Sequence, residues 1–155
     1  MKGKVIAVCG MLLGMAGTML ADAPDMRVKN RLDAREFKYE ITKAGNFKAI
    51  IECDNERTQL VYINSATERL GNMEIREVWS LGYKGTLTNS IMRRMLRSGE
   101  EFKLGAWGCN EDENRAYFTA KIPADLPAAD LVKVIFAVGK AADKLEAESL
   151  GNDDL

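Results

Sequence analysis

At 155 residues, with 46% hydrophobic and 29% charged residues, the chain has the size and composition of one globular domain rather than of a disordered segment or a membrane-embedded bundle. Its formal net charge is −1, with Lys and Arg interspersed among Asp and Glu, so its overall field gives no reason to expect a polyanionic partner. It contains no histidine, which excludes Ser-His-Asp and Cys-His nucleophile pairs and the common His-ligated zinc and iron centres.

Residues 1–4 carry two lysines, residues 5–21 are apolar and uncharged, and Ala21-Asp22-Ala23 offers small residues at the usual cleavage spacing. This is the three-part pattern of a secretory signal peptide, and it predicts a periplasmic or secreted protein with a signal over residues 1–23. The cleavage position stays open, because Pro24 hinders a cut after Ala23 and a cut after Ala21 puts Met19 at the third position. An uncleaved anchor is the alternative, although the run falls short of the ~20 residues a spanning helix wants and holds three glycines. Cys9 follows only four apolar residues and is preceded by Val8, which disfavours a lipoprotein signal.

Export leaves Cys53 and Cys109 as an even pair in an oxidising compartment, each at the end of a predicted strand. They are a candidate disulfide, which would close a loop of more than fifty residues and contribute ~4 kcal/mol by the chain-entropy model. Two buried free thiols are the alternative.

Residues 25–36 are charge-rich with apolar Met26, Val28 and Leu32, which suits a short, largely exposed helix. Residues 37–41 alternate, 43–46 form a turn and 47–53 resume as a strand, a hairpin signal. Residues 58–64 read as a third strand with Gln59, Val61 and Ile63 on one face and Leu60 and Tyr62 on the other. A loop over 65–72 and a short strand over 73–80 follow, broken by Gly82 and Gly85. Thr88 before Ile91, Met92, Met95 and Leu96, with Gly99 after Ser98, predicts a helix with a hydroxyl cap and a glycine stop.

The next stretch, 103–109, is extended, and 110–114 is a polar turn. Ala116, Phe118, Ala120 and Ile122 then alternate with Arg115, Tyr117, Thr119 and Lys121, a strand with one buried face. Pro123 and Pro127 end it and open a long helix whose Ala128, Leu131, Val132, Ile135, Val138, Ala142 and Leu145 recur at spacings of three and four. The order predicts an α+β fold, an antiparallel five- to six-stranded sheet with helices packed on one face, in a single domain over residues 24–150. Residues 151–155 read as a disordered acidic tail.

No catalytic motif emerges, and no cofactor or metal is implied. Arg93, Arg94 and Arg97 cluster on the second helix, but charges must occupy its solvent side, and no basic stripe with aromatic platforms marks a nucleic-acid surface. The turn Asn110-Glu111-Asp112-Glu113-Asn114 lacks the alternating ligands and glycine of a calcium loop. Trp79, Tyr83 and Trp107 are the candidate binding residues, because tryptophan and tyrosine are enriched at interface hot spots as well as in cores. If exposed, they mark a contact surface.

The order of elements resembles the type III secretion chaperone-like fold, and in particular the YbjN-type family of small bacterial domains. The residues carrying the resemblance are Phe37 to Ile41 with Gly45 and Phe47, Gln59-Leu60-Val61-Tyr62-Ile63, Glu74-Ile75-Arg76-Glu77-Val78-Trp79-Ser80, and Asp130-Leu131 through Ala142-Asp143-Lys144-Leu145-Glu146, spanning about residues 27 to 148. It implies a non-enzymatic binding domain that pairs with itself or with extended polypeptide. Secretion chaperones act in the cytoplasm, so the export signal argues against carrying over an effector-chaperone role. A small-ligand or carbohydrate-active envelope protein using a concave sheet face is the competing expectation.

Overall fold

The computed structural model describes residues 23–150, 153 and 155. The expected signal peptide, apart from Ala23, and Cys9 therefore lie outside the described residues, as do positions 151, 152 and 154 of the tail. Six strands, β1 (Glu40–Ile41), β2 (Phe47–Glu52), β3 (Thr58–Leu70), β4 (Met73–Lys84), β5 (Ala106–Asn110) and β6 (Arg115–Pro123), form one antiparallel sheet in the order β1-β2-β3-β4-β6-β5. Helix α1 (Met26–Asp33) precedes the sheet, α2 (Asn89–Ser98) links β4 to β5, and α3 (Ala128–Ser149) follows β6. This is the predicted α+β layout. No helix among the described residues is long and apolar enough to cross a membrane.

All three helices lie on one face, and strand alternation explains why. Phe47, Ile51, Val61, Ile63, Val78, Phe118, Ala120 and Ile122 point to the same side and are buried beneath Val28 and Leu32 of α1 and Leu131, Ile135 and Val138 of α3. A second cluster joins Tyr83 and Ala116 to Met95 of α2 and Leu145 of α3. Each fully buried aliphatic or aromatic side chain contributes about 1.5–3 kcal/mol, so this face holds the fold together. Helix α3 comes close because Gly139 meets the sheet: a Cβ there would collide with Ile51 Cδ1 and lie 2.9 Å from Val61 Cγ2.

The main departure from the sequence reading is the length of the central hairpin. β3 continues to Leu70, through most of the predicted loop, and β4 runs past Gly82 to Lys84. A register shift between Ile63 and Thr67 breaks the period of two. Arg76, only 2% exposed, reaches into this bulge and donates to the carbonyls of Asn64 and Ser65 and to the Asp25 carboxylate. Asp25 also caps α1 by accepting the Arg27 N–H at 2.8 Å, and its own N–H donates to Ser65 Oγ at 3.0 Å. The bulge is thus the anchor of α1. A second shift, between Leu81 and Tyr83, lets β4 carry Gly82 without ending.

The predicted strand over 37–41 shrinks to the two residues of β1 because Phe37 and Tyr39 turn onto the core. Their rings meet Phe136 and Phe47 edge-on, at centroid distances of 6.0 and 5.4 Å. Thr88 and Gly99 bound α2 as expected, but of its predicted buried face Met95 alone is fully covered, and Leu96 is 78% exposed. A short helix crossing the end of a sheet has room for a narrow contact only.

The candidate disulfide is not formed: Cys53 and Cys109 are both free, and the alternative of two buried thiols does not hold either, since Cys53 is half-buried and Cys109 exposed. Cys53 follows β2 and Cys109 lies in β5, with β3, β4 and β6 between them in the sheet. Four interstrand steps of about 4.8 Å hold the two thiols far beyond the reach of a bond.

Candidate functional site

The side of the sheet opposite the helices carries its own organised surface. On β3, β4 and β6 the residues of the second parity are Leu60 and Tyr62, then Glu77, Trp79 and Leu81, then Arg115, Tyr117, Thr119 and Lys121. The register places Tyr62 opposite Trp79, Trp79 opposite Thr119, Leu81 opposite Tyr117 and Glu77 opposite Lys121. Tyr62 and Trp79 stack, with ring centroids 4.4 Å apart and planes 13° from parallel, and Tyr117 meets Trp79 edge-on at 6.4 Å. The indole is fixed further by Nε1–H donating to Asn64 Oδ1 at 3.1 Å. Gly108, opposite Tyr117 on β5, clears room for that ring: a Cβ there would lie 2.8 Å from it.

This aromatic row floors a cleft of about 400 Å³, bounded by Leu60 and Leu81 at one end and by Asn110, Glu113 and Arg115 at the rim. Arg115 and Glu113 pair at 3.0 Å. Two further depressions adjoin it: one runs from Glu77, Tyr117, Thr119 and Lys121 to the β5 edge at Gly105–Gly108, where Trp107 also borders it, and the other is lined by Asn64, Ala66, Ile75, Glu77 and Lys121. Because Glu77 lines all three, they form one trough across the face. An apolar, aromatic floor with a charged rim offers contact area and orientation, which is the chemistry of binding.

The three predicted aromatics part company here. Trp79 stands on the uncovered face. Tyr83 is buried in the second core cluster, its hydroxyl donating to Thr86 O at 3.2 Å. Trp107 lies on the helix side, edge-on to Phe118 at 5.2 Å, its Nε1–H donating to Ser98 Oγ at 2.8 Å. The register joins Trp79 not to Tyr83 and Trp107 but to Tyr62 and Tyr117. A signal for both was present in the alternation, since each occupies a strand parity opposite the apolar core positions.

Charged clusters elsewhere are engaged with one another. Arg57 stands among the carboxylates of Asp143, Glu146 and Asp153, at 2.6, 3.0 and 3.7 Å. Those three acids come close enough to suggest a metal site, but a guanidinium already lies against all of them. Neither Asp143 nor Glu146 stood out in the sequence, where charges on an amphipathic helix read as its solvent side, yet both are buried on α3. Arg94 reaches α3, donating to Glu148 O at 2.6 Å, and helps line a polar cleft of about 320 Å³ with Arg97, Glu101 and Lys144. Burial, aided by the Asp143 carboxylate, pushes the Cys53 thiol up to about 11, so at neutral pH it is a protonated, unreactive sulfhydryl. At the α1 anchor, hydrogen bonds from Arg27 and then from Arg76 hold the Asp25 carboxyl far below the usual range. Glu74 falls to about 2, chiefly through its hydrogen bond from Arg27.

The tail reaches this surface. The Asp153 carboxylate accepts the Thr58 N–H, and Leu155 lines the cleft beside Leu60. In comparisons with known proteins, no family model matches the chain, and no curated protein matches it in sequence.

Proposed function

We propose that this chain is an exported, non-enzymatic protein-interaction domain, of the YbjN-type, type III secretion chaperone-like kind, whose uncovered sheet face receives an extended polypeptide segment. The observation that carries the reading is the continuous trough floored by Tyr62, Trp79 and Tyr117. A row of rings on an open sheet face, with depressions that run into one another, suits a linear chain laying side chains into successive pockets. The amino-terminal signal pattern supports a periplasmic or secreted location, and the absence of histidine removes imidazole-based catalysis and His-ligated metal centres. A second copy of the domain packing face to face would use the same row. Light scattering at high concentration separates a dimer from a monomer that binds peptide.

One observation favours a second reading. The cleft volume of about 400 Å³ lies in the range of small-molecule sites, which suits a sugar or other compact envelope ligand stacked on the aromatic row.

Peptide display on the unaltered protein, followed by titration of the selected peptides, tests the choice. The first reading expects extended peptides with apolar or aromatic side chains, bound at least tenfold more weakly by Trp79→Ala and by Tyr117→Ala. Selected peptides indifferent to both substitutions would overturn it. So would an empty selection from a protein that binds glycans on an array.

A further inference from the structure

Residues 153 and 155 of the chain itself occupy one end of the trough. Both carboxylate oxygens of Asp153 accept from the Thr58 N–H, at 3.2 and 3.3 Å, and Arg57 Nη2 lies 3.7 Å away. The Leu155 N–H donates to Glu146 Oε1 at 3.0 Å, and its half-buried side chain lies in the cleft with Leu60 and Leu81. Thr58 opens β3 and Leu60 stands two residues further on, on the uncovered face. Asp153 and Leu155 are also two residues apart. An acid and a leucine in this spacing therefore meet a backbone donor and an apolar pocket in the same spacing, about 7 Å along an extended strand.

The hold is weak by design of its parts. The Asp153 side chain is 36% exposed, and ion pairs in that setting add little. A tethered segment nevertheless faces its site at an effective concentration on the order of millimolar, so a contact too weak to persist between separate molecules stays populated within one chain.

We infer that this end of the trough reads an acid-X-leucine motif, that Asp153 and Leu155 are its internal copy, and that a partner polypeptide bearing the same motif binds by displacing them. The inference rests on the reading of the open face as a polypeptide-binding surface, and adds to it the recognition chemistry and a self-occupied state. The acid is met by the Thr58 N–H and hydroxyl, with the Arg57 guanidinium 3.7 Å away, whereas the leucine is selected by Leu60 and Leu81.

The test uses the full chain, unaltered and as Leu155→Ser and Asp153→Asn, with labelled leucine methyls. The probe is the acetylated, amidated peptide Leu-Gly-Asn-Asp-Asp-Leu, matching residues 150–155, beside a control ending in serine. Leu155→Ser alone is expected to shift the Leu60 and Leu81 methyl resonances. The probe peptide is then expected to return them toward their original positions, binding this variant at least fivefold more tightly than the unaltered chain. Asp153→Asn should show a smaller gain of the same sign, and the serine control should not bind. Methyl resonances unmoved by Leu155→Ser, or equal affinity of the probe for variant and unaltered protein, would overturn the inference. If that happens while display-selected peptides still lose affinity in Trp79→Ala, the motif fails and the binding surface stands. Selected peptides indifferent to Trp79→Ala would remove the surface itself.

Discussion

The chain has two tryptophans, and the sheet sends them to opposite faces. Trp107, like Trp79 half-buried, turns its ring to the helix side: Phe118 packs against it, Ser98 accepts from its indole nitrogen, and Gly82 comes so close that a Cβ would lie 2.8 Å from its Cη2. Trp79 is held just as firmly in orientation, by the Tyr62 stack and Asn64, yet its outer surroundings are a trough. One indole is packed against core by its neighbours, whereas the other is supported from beneath and borders an open cleft above. The helix-covered face of this sheet holds the fold together, and the open face carries the arrangement on which the proposed binding role rests.

That contrast is sharpest between neighbours on β6. Phe118 points into the helix-covered core and Tyr117 onto the open face. Phe118→Ala is expected to cost about 3–5 kcal/mol, read by denaturant unfolding, whereas Tyr117→Ala should cost only about 1 kcal/mol, the scale of an aromatic contact, while abolishing tight peptide binding. Equal costs would erase the distinction between the faces.

The anchor beneath the bulge comes next. Arg76→Met leaves two bulge carbonyls without a donor, while the Asp25 carboxylate keeps the Arg27 guanidinium at 2.7 Å; the expected cost is about 2–3 kcal/mol for the unsatisfied buried acceptors, and α1 should lose protection from hydrogen exchange first. Asp25 and Glu74 both have folded-state pKa values depressed below their ordinary ones. Their contribution is therefore present above about pH 4.5 and is lost as pH falls through the folded values; for Glu74 that window runs from 4.5 down to about 2. Unfolding midpoints measured across that range should fall more steeply for the unaltered protein than for Asp25→Asn. Parallel curves would show that this pair is not what acid titrates.

Smaller effects test the edges of the comparison. Gly108→Ala is expected to push the Tyr117 ring off β5 and weaken peptide binding about threefold, read by titration, with little change in the unfolding midpoint. Leu96→Ser, on a helix surface 78% exposed, should change stability by less than about 0.5 kcal/mol and leave binding untouched.

What could be read from the sequence follows the same physical division. β6 and the long helix were legible because burial on one side writes its period into the residues: Ala116, Phe118, Ala120 and Ile122 at two, Leu131, Ile135 and Val138 at three and four. The outer half of the β3–β4 hairpin was not. Its bulge breaks the alternation, and Leu70 and Met73 near its tip are exposed at 66% and 53%, so no burial imprints a pattern there. Pairing across the sheet was equally hidden. Cys53 and Cys109 looked like partners because each ends a strand, but strand order, a non-local property, put them apart. The open-face row fell between these cases. The alternation had already separated Leu60 and Tyr62 from Gln59, Val61 and Ile63, without saying which face meets the core, and Tyr117 from the buried positions of β6, but only the register brought Tyr62, Trp79 and Tyr117 together.

The two tryptophans also supply the most direct measurement. Protein labelled with 5-fluorotryptophan should give two fluorine resonances, assigned by Trp79→Phe and Trp107→Phe. Titration with a display-selected peptide is expected to shift the Trp79 resonance saturably and to leave the Trp107 resonance in place. A shift confined to Trp107, or none at either position on saturation, would contradict the open sheet face as the binding surface.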